Sequence, residues 1–148
     1  MARALGLVLL ALAFAAVGCG GDGASAGATV SVYTAMPLCA EARRELAKKD
    51  GEAGDLKVRA ICLAPVEAKG RADLAAAGAN ARRAIEDSTT VAFLEAPGPA
   101  ARFSRSIVEA ADVAWVETDS GSAAMRRVLR ALADKGSASP RNAVREGL

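Results

Sequence analysis

Apolar and polar residues alternate at Thr29–Thr34 (TVSVYT), and the β-branched and aromatic content there marks a first strand. Pro37 follows where a helix can begin, and Leu38, Ala42 and Leu46 recur at helical spacing with charged residues between them. Asp50-Gly51 and Gly54 end that helix. Residues 56–63 (LKVRAICL) alternate apolar with basic and then turn wholly apolar, a second strand. Residues 64–71 are a loop with Pro65 and Gly70, and residues 72–87 carry the helical stripe Leu74, Ala77, Ala81, Ala84 and Ile85. Residues 89–95 (TTVAFLE) form a third strand, and Ala96-Pro97-Gly98-Pro99 a turn. Phe103, Ile107, Val108 and Ala111 give a third helix, and residues 113–117 (VAWVE) a fourth strand. After the polar loop 118–121, Met125, Val128, Leu129 and Leu132 mark a fourth helix.

Strand and helix thus alternate four times. That rhythm implies an α/β fold with a parallel sheet covered on both faces. Right-handed crossovers narrow the topology to a doubly wound sheet of about four strands, in order 2-1-3-4. This lobe spans residues 29–136. Residues 137–148 show no periodicity and are expected as a disordered tail.

The first 28 residues stand apart from this lobe. Arg3 precedes the uncharged apolar stretch from Ala4 to Val17, which falls short of the roughly 20 residues that a spanning helix needs. Residues 1–18 therefore read as an export signal. Residues 19–28 (CGGDGASAGA) read as a flexible tether. Gly18, Gly20 and Gly23 match a dinucleotide fingerprint literally, but no strand precedes them and no helix follows, so that reading is rejected.

Composition removes several function classes. Lys plus Arg is 19 and Asp plus Glu is 17, a net charge of +2 with no histidine. A nearly neutral chain lacks the electrostatic footprint of a nucleic-acid binder. Without histidine there is no histidine-based triad or HExxH zinc site. Three cysteines without a CxxC pair argue against a structural zinc or thioredoxin-type centre. No metal, no cofactor and no enzymatic activity are expected.

In an open parallel sheet, ligands sit beyond the carboxyl ends of the strands. There, Thr118, Asp119, Ser120 and Ser122 stand next to a helix start where hydroxyls and free amides could hold a carboxylate or phosphate; Asp119, Ser120 or Ser122 could equally cap the helix, and the two roles are not exclusive. Cys39 opens the first helix. Glu45 stands where a phosphatase-type loop would need arginine, which leaves little for a nucleophilic role. Cys39 lies just past the first strand and Cys62 near the end of the second, neighbours in the expected order, so the two could come within reach of a disulfide worth roughly 3 kcal/mol by the loop-entropy model. Two buried thiols are the alternative. The arginine doublets 43–44, 82–83 and 126–127 read as solvated helix faces. Trp115 reads as core or sheet surface, and Tyr33 faces either the core or the ligand edge.

Two resemblances follow from these residues. Ala16-Val17-Gly18-Cys19 resembles the lipobox of bacterial lipoproteins, although Ala16 stands where leucine is usual. It implies cleavage before Cys19, acylation of Cys19, and a chain held by two acyl chains at the outer face of the cytoplasmic membrane. ANARRAIEDSTTVAFLE (79–95), VSVYTAMPL (30–38) and FSRSIVEAADVAWVETDSGSAAM (103–125) resemble the type I periplasmic binding proteins. Within that family they are most similar to the branched-chain amino-acid substrate-binding lipoproteins of ABC transporters. The resemblance implies an amino-acid ligand, delivery to an ABC permease, and ligand contacts at Ser120, Gly121, Ser122, Pro97 and Gly98. The family closes two lobes on its ligand, whereas this sequence carries the first only. It is expected to bind weakly, to dimerise and so rebuild a cleft, or to bind nothing. The competing reading is an envelope-anchored interaction module with no small ligand.

Overall fold

The computed structural model describes residues 25–135 and 138–148. The expected signal peptide, Cys19 and most of the tether lie outside the described residues, as does residue 136.

Strand β1 (Thr29–Thr34) is buried on both faces from Val30 onward because it is the middle strand of its sheet. It pairs in parallel with β3 (Leu56–Cys62) on one side and β6 (Thr90–Glu95) on the other, and β6 pairs in parallel with β7 (Ala114–Glu117). A two-residue strand β2 (Glu52–Ala53) runs antiparallel along β3, so the sheet order is β2-β3-β1-β6-β7. The expected wholly parallel sheet of four strands is thereby corrected to a mixed sheet of five. The extra strand exists because Asp50, Gly51 and Gly54 take positive φ and fold the chain back as a hairpin. In the loop before the second helix, β4 (Glu67–Ala68) and β5 (Arg71–Ala72) form a separate antiparallel ribbon.

Alternation along the strands divides the core in two. Val32 and Leu94 point to one layer, with Ala42 and Leu46 of α1 (Cys39–Ala47) and Met125, Val128 and Leu132 of α4 (Gly121–Lys135). Tyr33 and Phe93 point to the other, with Ala81 and Ala84 of α2 (Leu74–Glu86) and Val108 of α3 (Pro99–Glu109). Asp73 starts α2 by accepting the Ala76 N–H at 3.0 Å.

Residues 140–147, expected as tail, form a further helix, α5 (Pro140–Gly147). It packs on α4, with Val144 fully buried in the first layer. Arg141 fastens it to the sheet: Nε donates to the Thr90 carbonyl at 2.8 Å and Nη2 to the Ser88 carbonyl at 3.2 Å. Arg145 pairs with Asp112 at 3.0 Å. The apolar stripe of this helix is Pro140, Ala143, Val144 and Gly147, two of whose members are read as helix breakers. Among the described residues, both core layers are built from residues between Val30 and Val144.

Candidate functional site

The chain winds in opposite directions from β1: through α1 to β3, and from β6 through α3 to β7. The loops after β1 and β6 therefore part to opposite faces, and a crevice opens between their carboxyl ends. A cleft of about 430 Å³ occupies that place. Met36 and Pro37 contribute one wall, and Pro65, Val66 and Glu67, after β3, a second. Residues 96–100 form the third, which is where the structure places Pro97 and Gly98. Among the described residues no lining side chain is a hydrogen-bond donor, and Glu67 is the one charged side chain.

Ser120, Gly121 and Ser122 are not part of this cleft. They sit at the start of α4 and are engaged by α1. Ser120 Oγ accepts the Ala123 N–H at 3.2 Å, and Thr118 Oγ1 accepts the Ser120 N–H at 3.1 Å. Glu41 Oε2 accepts the Ser122 N–H at 3.3 Å and the Ser120 hydroxyl at 3.4 Å. Its carboxylate stands where a bound ligand's carboxylate would. Gly121 has no room for a side chain, because a Cβ would overlap the Leu38 carbonyl oxygen. The helices meet there backbone to backbone. The capping role that the sequence offered to Ser120 is in place.

Cys39 and Cys62 lie with sulfurs at bonding distance and Cα atoms 5.5 Å apart. The pair joins the first residue of α1 to the last of β3. It therefore ties together the roots of two cleft walls, 35–38 and 63–67.

Sequence reasoning passed over Glu95. It ends β6 immediately before the cleft residue Ala96 and is only 2% exposed. Its Oε2 accepts a hydrogen bond from the Ser104 hydroxyl and another from Trp115 Nε1 at 3.4 Å. Burial pushes its pKa above the usual range, the two donors oppose that, and Glu117 adds to the rise. Arg105 covers the Trp115 ring, 5.1 Å from its centroid. The signal was the strand period: Glu95 lies two residues after Phe93, on the same inward face.

Tyr33 belongs to the core, and its hydroxyl donates to Asp87 at 3.1 Å. Burial raises the Tyr33 pKa, and Asp87 raises it further. Asp87 also receives the Thr89 N–H and hydroxyl, at 2.9 and 2.6 Å, and Arg59 Nη2 at 3.2 Å. Burial alone would raise the Asp87 pKa, but hydrogen bonds from Thr89, Tyr33 and Ser31 hold it down at about 2. This network lies at the opposite end of the sheet from the cleft and is structural.

Among the described residues, no three His, Cys, Asp or Glu side chains gather as a metal site, and no helix is long and apolar enough to cross a membrane. Compared with protein-family models, curated proteins and solved structures, the chain matches none.

Proposed function

We propose that the chain is an exported lobe, lipid-anchored at the outer face of the cytoplasmic membrane through Cys19. It holds a small, mainly apolar solute in the crevice between β1 and β6, like one half of a type I periplasmic binding protein. The observation that carries this reading is the position of the cleft: an apolar recess at the point where the winding of the sheet reverses. The Cys39–Cys62 pair supports it from another side, since disulfides persist in exported proteins. The role is binding rather than catalysis, and a permease would receive the solute.

A single lobe leaves its ligand open to water on one side. Dissociation constants on the order of 1 mM or weaker follow, because little of the ligand surface is covered. The test is an amide NMR titration of residues 25–148 with 3-methylbutan-1-ol and with leucine. Saturable shifts confined to Ala96, Gly98, Ala100 and Val66 support the cleft. Micromolar affinity in a monomer would contradict an open half-site, and absence of saturable shifts would contradict the solute reading.

One observation favours the second reading, an envelope-anchored interaction module. Met36, Leu74 and Phe103 are 48%, 45% and 42% exposed, large apolar groups on a small surface. The same titration separates the readings, since a docking module gives no saturable shift with either small molecule.

A further inference from the structure

We propose that the cleft selects small apolar amines over carboxylates, with the ammonium group set against Glu67. The inference rests on the solute-binding reading above and names the ligand class. It follows from the donor and acceptor inventory of the walls. Pro37, Pro65, Pro97 and Pro99 all line the cleft, and each removes a backbone N–H while keeping a carbonyl. The remaining lining side chains are Met, Val, Ala, Gly and the carboxylate of Glu67. Among the described residues the lining side chains thus offer acceptors and no donor, and the one charge they carry is negative, which favours a cationic donor.

A carboxylate would need donors, and the two helix starts at this edge are poor sources. The first is the Ser120–Ser122 loop, whose hydroxyl and amide already serve Glu41. The second is the start of α3. Proline, which has no N–H, occupies its first position, and the next two residues, Ala100 and Ala101, are 7% and 0% exposed. The Arg102 N–H is bonded to the Gly98 carbonyl at 3.3 Å. Glu67 is exposed and makes no ion pair among the described residues. Lys69 and Arg71, the cations nearest in sequence, are absent from the cleft lining. The carboxylate at the rim is thus open to a cation from outside.

The test uses three molecules that share one branched alkyl group: 3-methylbutan-1-amine, 3-methylbutan-1-ol and 3-methylbutanoate. Each is titrated into residues 25–148, the span that carries both cores, with amide shifts as the readout. The amine is expected to bind about fivefold tighter than the alcohol, the scale of one exposed ion pair, and the carboxylate more weakly than either. Glu67→Gln is expected to erase the difference between amine and alcohol. A carboxylate that matches the amine overturns the proposal, as does an amine preference that survives Glu67→Gln. If the alcohol binds with no preference by charge, the amine proposal alone falls. If none of the three gives saturable shifts, the cleft itself falls with it.

Discussion

Two loops at the carboxyl edge of the sheet lead into helices, and they end in opposite states. The loop before α4 is rich in hydroxyls, and every donor identified above is satisfied from within: Ser120 caps the helix, and Glu41 reaches over from α1. The loop before α3 is proline and glycine, has no side-chain cap, and fronts an open cleft. Polarity in a loop thus signals that the chain has groups to satisfy, and a packed fold satisfies them itself. Room for a guest appears where the chain leaves its wall apolar and stiff.

The strongest way to disturb this contrast is to replace Cys39 and Cys62 together with serine. Loss of the cross-link should lower unfolding free energy by about 3 kcal/mol in denaturant titration. It should also weaken alcohol binding, because two cleft walls lose their tie, while amide exchange at Ser122 and Ala123 stays slow. Equal loosening of both loops would break the comparison. Next in size is Gly121→Val, which drives a side chain into the Leu38 backbone and should cost about 2 kcal/mol through overpacking between α1 and α4.

A reference lies at the opposite end of the sheet, where Asp87 is fully satisfied by its own chain. Its pKa is depressed in the folded state, so its contribution is complete above the unfolded value near 3.8 and fades as pH falls towards about 2. Asp87→Asn should cost about 2 kcal/mol at neutral pH and flatten the stability profile across that acid window, as read by melts from pH 5 to pH 2. A milder probe of the closed loop is Glu41→Gln, which keeps an acceptor but removes the charge at the α4 start. About 1 kcal/mol is expected. The smallest effect belongs to the open loop. Pro97→Ala should shift stability by under about 0.5 kcal/mol, since nothing packs outside it, yet change the affinity for the alcohol probe.

What was legible in the chain follows the range of the forces involved. The four long strands and their helices show in the sequence because burial imposes periods of two and 3.6 on neighbouring residues. The hairpin strand Glu52–Ala53 was hidden by its length, as two residues carry no period. Helix α5 was hidden by its composition, because Pro140 is one of its three buried residues and Gly147 closes it. Gly147 is needed there, since a Cβ would come within 2.6 Å of Ala131 Cβ. The fate of Ser120–Ser122 depends on Glu41, some 79 residues earlier, which no local pattern reports. Cys39 and Cys62 became a readable pair only once the strand order placed their strands side by side. The cleft itself is a product of winding direction, and its prolines read one by one only as turns.

Residues 25–28 lead directly into β1, the middle strand, which is flanked by parallel neighbours on both sides. A pull from the amino end is therefore directed along a strand held by two ladders at once. Such a load shears all those bonds together instead of peeling them one at a time, and shear is the harder mode to break. Under the anchoring proposed above, the load would enter the sheet at a strand bonded on both sides.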